Sequence, residues 1–322
     1  MIKKLLLLFY LIICIKTYSQ SEKLRGEWFL DKIVKPDGKN LEINNPRYST
    51  FLFYEINPDE LSINNTKFKA KFSKDLINLD NRTFKYWFEE DYLILQEGNE
   101  ISLLLKAEDF IKRNSEFKPQ IEIRNSDSLL VANKVIHPIF NNDKTFDEFI
   151  IPLMKQEASK DMDDLYFKIE YILTKNNKIK QIKILDKRTP QYDTQFIQAL
   201  KQAEKYFENP YGKDLLVTDE KHFLKWYHDL SDKSEKDLFN NTGEGLRYYN
   251  NNKFEKAVEY FSRVNEYQPK DNRFVTEVHN AYIKLGISYL AIGKTEQACN
   301  SFRKAGDLTD FEVRNYLKDF CK

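Results

Sequence analysis

Two stretches near the carboxyl end of the 322-residue chain carry the same pattern twice, and this repetition restricts the tail more than any other feature. Aligning GLRYYNNNKFEKAVEYFSRV (245–264) with GISYLAIGKTEQACNSFRKA (286–305) matches Gly245 with Gly286, Tyr248 with Tyr289, Lys253 with Lys294, Glu255 with Glu296, Ala257 with Ala298 and Phe261 with Phe302. A supersecondary unit written twice predicts stacked α-hairpins. In each copy a glycine lets two helices approach closely, and an Ala and a Phe four residues apart share one helical face. The turn holds Asn252 in one copy and Gly293 in the other, the residue types that best tolerate a left-handed backbone. After the second copy, Thr309 and Glu312 stand at capping-box spacing before Val313, Tyr316, Leu317 and Phe320, which share a face. This predicts a terminal helix that seals the stack.

The first residues, MIKKLLLLFYLIICIKTYSQ, run from Lys3 and Lys4 through an apolar stretch, Leu5 to Ile15, into small or polar residues. That is the layout of a secretory leader, cut after Ser19, and the apolar run is too short to span a bilayer, which needs about 20 residues. Lipid attachment at Cys14 is the competing reading, but Ile13 before it is bulky where such sites take a small residue. Without residues 1–19 the balance of 51 basic and 50 acidic residues becomes 48 against 50. Such a near-neutral surface offers no electrostatic footprint for nucleic acid. Removing Cys14 leaves Cys299 and Cys321, and an even pair in an exported chain points to a disulfide. A helical hairpin between them would bring the two ends together; the alternative is two buried thiols packed as small apolar side chains.

The repeated residues resemble the tetratricopeptide repeat, with Leu285 and Gly286 as its Leu-Gly pair and Pro269 after the second helix of the first copy. Glu244 and Val264 depart from that pattern, and the spacing from Ala257 to Ala298 is 41 residues against a family period of about 34. The resemblance implies a helical repeat with a groove for a protein partner. The candidate groove-facing residues are Tyr249, Ile283, Ile287 and Leu290; most of the other aromatic residues read as core.

The middle of the chain reads as helix, hairpin, helix. Phe167, Ile169 and Tyr171 alternate with Lys168 and Glu170, TKNNK supplies a turn, and Ile182 and Ile184 alternate on the return. Phe196, Ala199, Leu200 and Ala203 then form a helical stripe. A small two-layer α+β domain follows from this order. It resembles the carboxyl-terminal domain of TonB-type energy transducers: Pro138, Phe140, Phe146 and Phe149 fit its opening element, FKIEYILTKNNKIKQIKIL fits its hairpin, and Pro210 lies near its usual Trp-x-Pro. The turn lacks Asp-Gly, no Trp precedes Pro210, and no Pro-rich linker is present. The resemblance implies a module able to take up a partner strand along an open sheet edge.

Residues from Lys23 to Phe110 carry short alternating segments, including GEWFLDKIV, STFLFYEI, YLILQ and ISLLLK, separated by turn signals. They predict an all-β barrel or sandwich. Gly26 and Trp28 resemble the Gly-x-Trp opening of small lipocalin-like domains, which implies a barrel that holds an apolar ligand or is filled by its own side chains. The expected organisation is multidomain: a leader over 1–19, the β domain over 22–112, the α+β domain over 130–215 and the helical repeats with their cap over 219–322.

Catalytic chemistry has no visible carrier. His137, His222, His228 and His279 are scattered without metal-ligand spacing, only 9 glycines are present and none forms a phosphate loop, and there is no nucleophile elbow. The acidic runs Glu89, Glu90, Asp91 and Asp161, Asp163, Asp164 lack calcium-loop periodicity and read as solvated turns. The segment Lys221 to Leu230 reads as an amphipathic linker helix. No cofactor, metal or catalytic residue is therefore expected. The function expected is non-enzymatic binding of a protein partner in the periplasm or outside the cell, through the repeat groove and a sheet edge. The alternatives are an energy transducer held in the membrane by an uncleaved leader, and a carrier of a small apolar ligand.

Overall fold

A computed structural model of the chain describes residues 22–64, 66–154, 166–223, 230–270 and 272–321. The leader with Cys14, the run Asp161, Asp163, Asp164, and His228 lie outside them. The chain divides into two compact units, 1–115 and 116–322.

The first unit is built on nine antiparallel strands: β1 (Gly26–Val34), β2 (Phe53–Ile56), β3 (Glu60–Ile63), β4 (Thr66–Lys69), β5 (Lys71–Phe72), β6 (Leu76–Asn78), β7 (Thr83–Glu89), β8 (Tyr92–Glu97) and β9 (Glu100–Leu105). Their pairing order is β4-β3-β2-β1-β9-β8-β7-β6-β5. Only Ala70 separates the two end strands in sequence, so the sheet curls until its edges nearly meet. Period-two alternation puts cross-strand partners such as Trp28 and Tyr54, Ile77 and Phe84, and Leu93 and Leu104 on one face, and all six are buried. On the other face, helix α1 (Ala107–Arg113) seats Phe110 against Phe29, with ring centroids 5.7 Å apart. Gly26 has φ +98°, and Lys106 crosses to the Arg25 carbonyl while its ammonium lies 4.1 Å from the centre of the Trp28 ring. The acidic run Glu89 to Asp91 is the β7–β8 turn, with Glu90 at φ +51°.

The second unit contains a mixed five-stranded sheet. Strands β10 (Gln120–Arg124), β11 (Asp127–Val131), β13 (Tyr166–Leu173), β14 (Ile179–Asp186) and β16 (Leu215–His222) are ordered β10-β11-β16-β13-β14. Helix α3 (Pro190–Ala203) starts where the Thr189 hydroxyl accepts the Tyr192 amide at 3.1 Å and Pro190 presets the first turn. It lays Phe196, Ala199 and Leu200 on Phe167, Ile169, Tyr171 and Leu173 of β13. Strands β12 (Ile139–Phe140) and β15 (Phe207–Glu208) pair beside this layer, and Phe140 meets Phe146, Phe149 and Phe207 at 5.1–5.7 Å. The helix expected before the hairpin is α2 (Phe146–Ile150), opened by a Thr145–Glu148 capping box, and it runs on only as a 3-10 turn, Ile151–Leu153, since Pro152 has no amide hydrogen to give to a further helical bond. Strand β16 continues through Lys221 and His222, so the expected linker helix begins as strand.

The tail is helical: α4 (Lys233–Asn250), α5 (Phe254–Phe261), α6 (Val275–Ala291), α7 (Thr295–Ala305) and α8 (Phe311–Phe320). The two hairpins repeat the same glycine–phenylalanine contact and the same turn. A Cβ on Gly245 would lie 2.7 Å from the Phe261 ring, and one on Gly286 would lie 2.5 Å from the Phe302 ring. The turns use φ +56° at Asn252 and +75° at Gly293, each closed by the next amide bonding back to Tyr248 or Tyr289 at 2.9 and 2.8 Å. Helix α8 does cap the stack, with Tyr316 stacked on Phe302 at 4.8 Å, but its N-cap is Asp310 rather than Thr309. The Asp310 carboxylate reaches two amides, Glu312 and Val313, and its charge suits the positive end of the helix, whereas Thr309 bonds back to Asp307.

Among the contacts that hold α8 in place are one at each of its ends. Cys299 is disulfide-bonded to Cys321, with Cα atoms 5.6 Å apart. His279 on α6 sets Nδ1 2.9 Å from the Ala305 carbonyl, where α7 ends, and Nε2 3.6 Å from Asp310. The Asp310 carboxylate, aided by that carbonyl, raises the His279 pKa above its ordinary value against the opposing effect of burial.

Replacing both cysteines by serine is expected to cost about 3 kcal/mol, the loop-closure entropy of a 22-residue separation. Urea unfolding of the wild type in reductant should then coincide with that of the variant. His279→Gln is expected to lose most against the wild type below about pH 6.5, with the gap closing as pH rises through the raised folded-state pKa, because the protonated ring is the form that folding favours. Parallel urea titrations across pH 5–9 check this, and a gap that widens with pH would refute the clamp.

Candidate functional site

The residues expected to line a partner groove are mostly unavailable. Ile283, Ile287 and Leu290 are buried at 2%, 1% and 7% exposure, because α6 is packed by α5 on one side and α7 on the other. A helix covered on both sides needs apolar residues around most of its circumference. Tyr249 is half-buried against Phe254, and burial pushes its phenol up to about 12. The helical tail therefore spends these side chains on its own core.

The five-stranded sheet has two edges, and they are built differently. On β14, Lys180 and Lys183 point to solvent, Gln181 sits at φ +51°, and the register with β13 shifts at two places. Lysines and bulges are the devices that keep an edge from pairing. On β10 the register with β11 is unbroken from Gln120↔Val131 to Arg124↔Asp127, no lysine intervenes, and Ile121 and Ile123 are 47% and 75% exposed.

The β10–β11 loop decides which backbone groups are free. Asn125 and Ser126 have φ +48° and +73°, the two-residue turn whose twist matches that of paired strands. The residues flanking such a loop, Arg124 and Asp127, exchange both backbone hydrogen bonds, and the pattern alternates from there. Glu122 and Gln120 thus turn their amides and carbonyls toward β11, while those of Ile121 and Ile123 face outward. Side chains and backbone at these two isoleucines are open together.

The opposite side of the hairpin is held down. Leu129 joins Ile172 and Leu216 in a small buried cluster on the face away from α3. Arg124 extends both terminal nitrogens to the two carboxylate oxygens of Glu170 on β13, one at 2.8 Å, and its Nε to Glu122. Glu170 is only 7% exposed, and the Arg124 bond lowers its pKa despite burial. A buried carboxylate paired bidentately helps fix the hairpin's position, since losing the fork would leave its oxygens without those two hydrogen bonds.

The other ionisable clusters are links between elements. His222 Nδ1 lies 2.8 Å from Thr276 Oγ1 on α6, and Lys221 bridges Asp147 and Asp219 at 2.6 and 3.0 Å. Among the described residues no group of three or more His, Cys, Asp or Glu side chains could hold a metal ion, and no helix is long and apolar enough to cross a membrane. A scan against protein-family models and a search of curated proteins find no match to this chain.

Most of the β10–β11 hairpin lies between the β domain expected over 22–112 and the α+β domain expected over 130–215, where the sequence reading places no element. The signal was present in QIEIRNSDSLLV: Ile and charge alternate, and a polar pair separates two strand-like runs. Arg124→Met is expected to cost about 2 kcal/mol at neutral pH, less than a fully buried pair because the guanidinium is 32% exposed. The cost should fade as pH falls through the depressed Glu170 pKa, where the protonated acid no longer needs a cation. Urea unfolding at pH 7 and pH 3.5 measures both values; an equal cost at the two would exclude the ion pair as the cause.

Proposed function

We propose that the protein is a non-enzymatic cell-envelope protein that acts by binding another protein, with β10 as the contact strand. The observation that carries this reading is the unguarded edge: outward backbone groups and exposed side chains coincide at Ile121 and Ile123. Strand addition uses main-chain hydrogen bonds for affinity and alternate side chains for selection, and this edge supplies both. The leader read in residues 1–19 and the Cys299–Cys321 bond favour an oxidising location, periplasmic or extracellular.

The remaining parts support the contact strand. In this reading the sheet of β13, β14 and β16 with α3 is a TonB carboxyl-terminal-like module, and α4 to α8 form a tetratricopeptide-like array. The first unit is a lipocalin-like barrel. The two later modules share one compact unit: Phe117 packs on Phe311 at 5.5 Å, and Glu116 meets Arg314 at 3.4 Å. The segment that leads into β10 is thereby anchored on the capping helix.

A photo-crosslinking residue at position 123 is expected to trap a discrete envelope protein, while the same residue at position 183 on the guarded β14 edge traps none. Ile121→Lys combined with Ile123→Lys should abolish the product as detected from position 120. Equal trapping from both edges, or a product that survives the lysine pair, would remove β10 from the function.

A further inference from the structure

We infer that the segment taken up by β10 is an extended strand with apolar residues at alternate positions and a lysine or arginine between them, set opposite Glu122. This rests on the reading of β10 as the contact strand and names the chemistry of its partner. An incoming strand that pairs antiparallel bonds to the outward groups of Ile121 and Ile123, so its residues opposite those two fall in hydrogen-bonded pairs. Its residue opposite Glu122 then falls in the non-hydrogen-bonded position, where Cα atoms approach to about 4.5 Å and side chains are closest.

The charge at that position is negative by placement. One guanidinium, Arg124, serves two carboxylates. The buried Glu170 takes both terminal nitrogens, and Lys168 and Lys183 also act on it. From that guanidinium Glu122 receives the Nε, and its side chain is 44% exposed. Turning the fork to Glu122 would strip the buried carboxylate of its bidentate hydrogen bonds, so Glu122 stays the less neutralised of the two carboxylates, on the rim beside the edge a partner must approach. An arriving cation neutralises Glu122, and an arriving acid is repelled. The apolar neighbours of that cation would lie beside Ile121 and Ile123, which are open on the other face.

Short synthetic peptides test this on the whole chain. One alternates valine with lysine, a second alternates valine with glutamate, and a third is the lysine peptide methylated on the amides that would bond to β10. Binding is read by NMR titration and by hydrogen exchange of residues 120–124. The lysine peptide is expected to bind about fivefold to tenfold more tightly than the glutamate peptide, with the preference shrinking in high salt. It should slow exchange at Ile121 and Ile123 and lose binding on methylation. Glu122→Gln should level the two peptides while both still bind, and Ile123→Lys should remove binding.

Equal affinity for the two charged peptides, or a preference unchanged in Glu122→Gln, overturns the inference. Binding that survives methylation overturns strand addition. If neither peptide protects residues 120–124 while crosslinking from position 123 still depends on the isoleucines, the partner chemistry is wrong and the contact strand stands. Failure of both experiments removes the contact strand as well.

Discussion

The second unit depends on the pairing of β13 with β16 along eight residues, Tyr166↔His222 through Leu173↔Leu215. Period-two alternation then divides β13 between two tasks. Phe167, Ile169, Tyr171 and Leu173 face α3 and form the core of the α+β layer. Ile172 and Glu170 face the other way, where Leu129 and Arg124 of the β10–β11 hairpin settle on them. At the far end of the same ladder, His222 reaches Thr276 of the helical tail. Slipping the register by one residue would exchange these faces, burying Lys168 and Glu170 under α3 and exposing the aromatic residues.

The hairpin that this ladder carries is attached through a small join. β11 runs parallel to β16 over Leu130↔Leu215 and Val131↔Leu216, and parallel pairing is the weaker kind per residue. The Arg124–Glu170 fork adds a charged anchor at the other end, and Leu129 adds a buried apolar one between them. Three modest restraints thus fix an edge strand whose outer side stays open. The contrast with β14 gives the openness meaning: where the protein guards an edge, it uses lysines, a left-handed residue and register shifts together.

In the helical tail the governing constraint is proximity. Gly245 and Gly286 admit the Phe261 and Phe302 rings against the helix backbone, and any side chain there would collide with them. Close helices leave α6 little free surface, which is why Ile283, Ile287 and Leu290 serve the fold. The disulfide and the His279 contacts then act on α8, the last helix of the stack. The disulfide joins residues far apart in sequence and so lowers the entropy lost when the last helix docks, whereas the His279 contacts form on docking and offset that loss.

Much of the helical tail was legible in the sequence because its determinants are local. Residues four apart define a helical face, and a left-handed turn selects Asn252 or Gly293 whatever lies around it. Alternation in the same way marked β13, β14 and the strands of the first unit. The N-cap of α8 was misread because Thr309 and Asp310 are both competent caps, and only the placed chain shows which oxygen reaches two amides. What tertiary structure alone decided was which surfaces remain open. A strand such as β10 is an edge only because of the order in which distant strands assemble, and a residue such as Ile287 is buried only because two helices arrive on opposite sides of its own. Pairing order and coverage are set by contacts between segments remote in sequence, and no pattern within a short window contains them.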